Sequence, residues 1–203
     1  MNATENPSQK PERRRRRGAI LEAAILDEVW TQLHTISYDD FMIDAVARAS
    51  GTSRAVLYRR WPNKAALVHA AILSRTGTIT DDIPDTGSFA GDIRSMLHTL
   101  AGRIAYIGAD VLIGLLSALD DLSDEVTGTV PRVVDQLVER ARKRGEIGTG
   151  NIPGIVLELP TTLLRYRMIS ERSVPSDAAI DDIVDRVFIP LVQHYAPSYG
   201  GRA

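Results

Sequence analysis

The chain has no cysteine, only 5% aromatic residues and four histidines. Without cysteine there can be no disulfide and no thiolate zinc site, which accords with a reducing compartment. His34, His69, His98 and His194 are scattered, with no pair four residues apart on one helix face to hold a metal. A glycine-rich phosphate loop, a GxSxG elbow and a cysteine nucleophile are all missing. Asp120/Asp121 and Asp181/Asp182 are adjacent acids at the ends of helical patterns, where they cap or are solvated. These absences argue against an enzyme, a cofactor and a metal. The longest apolar run, residues 111–119, is bounded by Asp110 and Asp120 and is too short to span a bilayer. Residues 18–30 follow a basic cluster, but Glu22, Asp27 and Glu28 interrupt them, so they fail as a signal peptide core. The expectation is a cytoplasmic protein with no membrane partner.

What is present is aliphatic and helical in period. The 203 residues are 44% apolar, enough for one large domain or two small ones. The net charge of −2 conceals an asymmetry. Residues 1–75 carry twelve Lys/Arg against eight Asp/Glu, a net +4, and the remainder carries twelve against eighteen, a net −6. A basic N-terminal third on an acidic remainder fits one domain that faces nucleic acid and one that does not. Apolar residues recur at three- and four-residue steps over residues 18–33, 64–75, 88–107, 110–119, 123–144, 153–170 and 176–195, and no segment alternates with strand period. The fold class is therefore all-α. Residues 110–119 are apolar all round and are expected to be buried on most sides. Pro160 and Pro190 fall inside the last two patterns and should kink or shorten them. Residues 77–87 are turn-rich and mark a boundary. The chain thus divides into a basic arm over 1–17, expected to be disordered, a domain over 18–75 and a second over 88–196.

Residues 42–64, MIDAVARASGTSRAVLYRRWPNK, hold two short helical patterns either side of a glycine. Gly51 follows Ala47 by four positions, where a chain turning sharply between helices needs positive φ. Thr52 and Ser53 supply hydroxyls for capping the second helix, roughly 53–60, which buries Val56 or Leu57 and Trp61 and exposes Arg54, Arg59 and Arg60. Pro62 ends it and Asn63 can cap the next. A short helix with a small, basic outer face after a tight turn is a helix-turn-helix reader of the major groove.

Arg54 can donate two hydrogen bonds to guanine O6 and N7, worth about 1–3 kcal/mol of discrimination. Ala55 and Val56 are small enough for close approach and for touching a thymine methyl. Ser53 either meets a phosphate or caps, and Arg59 and Arg60 are phosphate contacts, base readers or solvated. Asp44 would repel phosphate if it faced DNA; it accepts from a cytosine amino group or faces solvent. The five arginines at 13–17, Arg16 and Arg17 nearest the domain, form either a solvated tail or an arm that tracks phosphates or enters the minor groove.

The run GTSRAVLYRRWPNKAAL resembles the TetR family of transcriptional regulators, through Leu57, Tyr58, Trp61, Lys64 and Leu67. The ending RARKRGEI over residues 140–147 is similar to a recurrent family feature as well. The resemblance implies a three-helix DNA-binding domain, the first helix packed across the helix-turn-helix pair, and a C-terminal helical domain for ligand binding and dimerisation. It implies that Tyr58 and Lys64 hold phosphates. Many members place Thr before the second helix to cap it and meet a phosphate. Here Phe41 stands there, and Asp40 is the alternative cap.

It also implies a homodimer through the last two helices, whose apolar stripes are Ile155, Leu159, Leu163 and Tyr166, then Ile180, Ile183, Val184, Val187 and Leu191. Two-fold protein symmetry matches a palindromic double-stranded operator. A small-molecule effector in the second domain would release the DNA, with Met96, Leu100, Ile104, Leu112, Leu116, Val134 and Leu137 as pocket candidates and Tyr166 and Arg167 as polar handles. The plain alternative for these aliphatics is core. A DNA-binding dimer without an effector is the competing function.

Overall fold

The computed structural model describes residues 9–81, 83–118 and 129–198, and every regular element among them is helical. Two compact units result, the first ending at Thr76 and the second opening at Gly77.

In the first unit, α1 (Gln9–Leu33), α2 (Ile43–Ala49), α3 (Arg54–Arg60) and α4 (Lys64–Thr76) share one core. Ile25, Val29 and Leu33 of α1 are buried against Leu67, Val68, Ala71 and Ile72 of α4, and Val46, Leu57 and Trp61 complete the interior. Each fully buried side chain of this size contributes about 1.5–3 kcal/mol. Asp27 and Arg75 clip α1 to α4 at 2.8 Å. Two expectations change here. Helical backbone begins at Gln9, so the arginine run continues α1 where a disordered arm was expected over 1–17; residues 1–8 lie outside the described residues. Ile20 and Leu21 keep the helical spacing but are exposed, and the buried face starts at Ile25.

The second unit starts with a short 3₁₀ turn (Ile79–Asp81) and then α5 (Phe89–Ile107), capped by the Ser88 hydroxyl, which accepts from the Gly91 amide at 3.1 Å. α6 (Ala109–Leu116) leaves α5 at 104°. α7 (Thr129–Lys143), α8 (Gly154–Glu171), α9 (Asp177–Asp181) and α10 (Ile189–Tyr195) follow; a π-helical stretch, Asp182–Phe188, joins the last two. Ile93, Met96, Leu97, Val133, Leu137, Leu164, Ile180, Val184 and Phe188 form the centre of its core. α6 is not buried on most sides as its composition suggested: Val111 and Leu115 are interior, while Leu112, Ile113 and Leu116 are only partly covered.

Pro160 is buried inside an unbroken α8. Pro190 has a larger effect. It cannot donate to the carbonyl four residues back, and just before it the ladder widens, Ile189 N donating to Val184 O. The final helix therefore continues to Tyr195 through a wide turn instead of stopping.

One part of the interior is charged. Asp92 is 0% exposed and accepts from the Thr86 amide at 2.6 Å, the Thr86 hydroxyl at 2.8 Å and Arg144 Nη2 at 2.6 Å. Arg144 also meets Asp85 and Glu146, and Glu146 Oε2 accepts from the Phe89 amide at 2.6 Å. Burial works to raise the Asp92 pKa, but the hydrogen bonds from Thr86 and Arg144 outweigh it and hold the carboxyl below its ordinary value. The network joins the start of α5 to the end of α7, where Gly145 at φ +75° stops the helix. Past this point Gly150 approaches the chain end so closely that a Cβ would lie 2.0 Å from the Tyr195 carbonyl oxygen.

Candidate nucleic-acid interface

The turn between α2 and α3 is a Schellman ending. Gly51 takes φ +62°, its amide donates to Arg48 O, and Thr52 N donates to Ala47 O at 2.9 Å. Ser53 then caps α3, its hydroxyl accepting from Val56 N at 3.4 Å, so capping accounts for this side chain. Asn63 caps α4 likewise, its side-chain oxygen accepting from Ala66 N at 2.7 Å. Leu57 and Trp61 anchor the inner face of α3, and Val56 is half-buried. Arg54, Ala55, Tyr58, Arg59 and Arg60 line its exposed side, with Thr52 half-buried at its foot.

These cations are not equivalent. Arg60 pairs with Glu22 of α1, which draws it away from the outward face. Arg54 Nε lies 2.7 Å from Asp44 Oδ1 of α2, and its guanidinium carbon sits 5.9 Å from the Tyr58 ring centroid. Asp44 is thus half-buried and ion-paired, not a freely solvated acid, although its Oδ1 receives no hydrogen bond. Lys64 Nζ sits over the Tyr38 ring at 4.3 Å and donates to Asp39 O at 3.2 Å. Burial lowers the Lys64 pKa, with Asp39 and Asp40 opposing the shift. α2 starts after Met42, which provides no side-chain cap, and Asp40 instead accepts from the Ser37 hydroxyl at 2.8 Å, so neither Phe41 nor Asp40 caps this helix. Arg16 and Arg17 stand on the α1 backbone, and their side chains fall outside the described part.

The Arg54–Asp44 pair and the Tyr38 seat of Lys64 were not read from the sequence. Their partners lie 10 and 26 positions away and meet only once the turn and the α1–α2 connection are folded. An acid early in α2 was the one available signal.

In the second unit the proposed pocket residues part company. Met96, Ile104, Val134 and Leu137 are buried core, and Leu100, Leu112 and Leu116 pack on it half-buried. Tyr166 and Arg167 do not join them. Tyr166 is 64% exposed, and Arg167 pairs along the helix with Glu171 at 3.0 Å, so neither is a polar handle on that interior. Of the two apolar stripes, the α8 stripe stays uncovered at Ile155, 69% exposed, and at Tyr166 and Ile169, with Leu159 and Leu163 half-covered. Of the other stripe, Ile180 of α9 and Ile183 and Val184 of the π-helical stretch belong to the unit's own core, Leu191 packs on it and Val187 is half-buried. Among the described residues no single helix is long and apolar enough to cross a membrane.

Comparison with known proteins agrees with this arrangement. Residues 25–71 match the family model of bacterial regulatory proteins of the tetR family, and residues 83–187 match that of the tetracyclin repressor-like C-terminal domain. A similar curated protein is the DNA-binding transcriptional repressor TetR of Mycobacteroides abscessus, 28% identical over 186 residues, 87% of this chain and 96% of that one. Another is the uncharacterized HTH-type transcriptional regulator YdeS of Bacillus subtilis, 28% identical over 172 residues, 81% of this chain and 86% of that one. Among solved structures, the TetR family transcription regulator SCO0332 shares the fold at a TM-score of 0.59 and 22% identity, over 83% of this chain and 97% of that one. A helix-turn-helix locked at Gly51 and a matching helical second unit make this chain a member of the TetR family of transcriptional regulators.

Proposed function

We propose that this regulator is a repressor that binds a palindromic operator as a homodimer and is released by a small molecule held in its second unit. The observation that carries the reading is α3 itself. A seven-residue helix is fixed at both ends by the Gly51 turn and Trp61, and it presents Arg54, Ala55 and Tyr58 outward. Arg54 would read guanine, Ala55 and Val56 would lie against the groove floor, and Tyr58, Arg59 and Lys64 would hold phosphates, with Thr52 and Ser53 at the helix foot. Arg16 and Arg17 would add phosphate contacts from α1.

A single half-site reader of this size needs a second copy for useful affinity, and the uncovered α8 stripe supports pairing through Ile155, Tyr166 and Ile169. For the effector, the half-buried Leu100, Leu112 and Leu116 at the edge of the core are the favoured entry, because interior residues must move to admit a ligand. An effector can act only by binding the released form more tightly than the DNA-bound one.

The test combines sedimentation velocity at micromolar concentration with anisotropy titration of an operator duplex against bulk competitor. A dimer binding as two chains per duplex, released by a metabolite that also raises Tm, is the expected result. A monomer without sequence preference overturns the proposal. A sequence-specific dimer that no metabolite releases favours the effector-independent alternative.

A further inference from the structure

We infer that Asp44 is a positioning residue for Arg54: it braces the guanidinium from the side so that the outer nitrogens present a fixed fork to one guanine. This rests on the reading above that Arg54 faces a base. The contact is an ion pair from Arg54 Nε to Asp44 Oδ1 at 2.7 Å, close but not aligned as a hydrogen bond, while Nη1 and Nη2, the atoms that pair with guanine O6 and N7, have no hydrogen-bond partner among the described residues. Asp44 can brace because it is itself fixed. It belongs to α2, joined to α3 through the Schellman turn, and its side chain is 35% exposed against 62% for Arg54. The Tyr58 ring, one turn along α3, flanks the guanidinium at 5.9 Å.

An arginine on a short helix ordinarily gives up rotamer freedom when it meets a base, and an acid that holds it beforehand removes part of that cost. Pairing also cancels the charge with which Asp44 would repel the phosphates. Asp44 therefore acts on selectivity through Arg54 without touching DNA.

The experiment titrates full-length wild type, Asp44→Ala, Asp44→Asn and Arg54→Ala against the selected operator, against duplexes substituted symmetrically at each base pair, and against random duplex. Circular dichroism melts check folding. Arg54→Ala is expected to erase preference at one guanine. Asp44→Ala is expected to cut preference at that same guanine by about two- to tenfold per half-site, leave the other positions alone, and bind random duplex as well as or better than wild type. Asp44→Asn, which keeps the shape but removes the charge, should lose the preference as Asp44→Ala does, because the contact is an ion pair. Full guanine preference in Asp44→Ala overturns the inference, and tighter binding with that preference intact would make Asp44 a restraint on Arg54 instead. A loss spread over all positions, or a lowered Tm, would mark a merely structural role and overturns it too. If Arg54→Ala changes no position while the wild type still selects an operator, the failure lies in the assignment of Arg54 to a base.

Discussion

The two units leave opposite kinds of surface uncovered. The first exposes a short basic helix around Arg54 and Arg59, with its acids Glu22, Asp27 and Asp44 each engaged by an arginine. The second exposes an apolar stripe on α8 and buries one acid, Asp92, against Arg144. A charged exposed face gives binding that is reversible and weakened by salt, whereas an apolar one gives association that salt hardly weakens. The proposed DNA contact and the proposed pairing are therefore open to separate disruption.

The largest effect should come from the apolar side. If the proposed dimer pairs through α8, Ile155→Asp combined with Tyr166→Asp places each charge twice across its two-fold axis and should weaken it by at least about two orders of magnitude, read by sedimentation, with α3 intact. Next is the interior. Asp92→Ala removes the acceptor of the Thr86 amide and one of the three carboxylates around Arg144, and should cost the second unit about 1–3 kcal/mol in a denaturant titration. Third comes the reading helix, where Arg54→Ala should lose about 1–3 kcal/mol at one operator position. Lys64→Ala should weaken operator and random duplex alike and flatten the salt dependence. Equal losses on both DNAs for both variants would erase the division of roles.

The smallest effect is in pH. Burial lowers the pKa of half-buried His69 in α4, so the folded first unit keeps it neutral while the unfolded chain takes up a proton near about pH 6.5. That contribution is present above this pH and fades as pH falls toward the lowered folded value. The Asp92 carboxyl, also held low, starts to matter only below about pH 4. Hydrogen exchange across a pH series should therefore show the first unit loosening before the second; the reverse order would contradict these assignments.

Legibility in the sequence followed the range of the interactions. Gly51, Ser53, Leu57, Trp61 and Asn63 act within a few residues of themselves, and their turn, cap and core roles are as their spacing indicates. The aliphatic periods placed the helices, although period alone could not tell which apolar face finds a partner. That is why Ile20 and Tyr166 point outward and why α6 is only half covered. Contacts between distant segments were not legible. Arg144 with Asp92, Arg54 with Asp44 and Lys64 with Tyr38 pair across 10 to 52 positions, and no local pattern announces them. Pro190 was expected to kink or shorten the last helix, and the backbone instead runs through a π-helical stretch before it, with Ile183, Val184 and Phe188 of that stretch in the core.

Selection of bound DNA from a random pool with the 203-residue chain asks whether a short arginine-bearing helix is presented twice to one duplex. The expected outcome is an inverted repeat whose half-sites are centred about one helical turn, or a multiple of it, apart, with a guanine in each half-site that Arg54→Ala no longer requires. A recovered pool with no repeat and no base preference would contradict it.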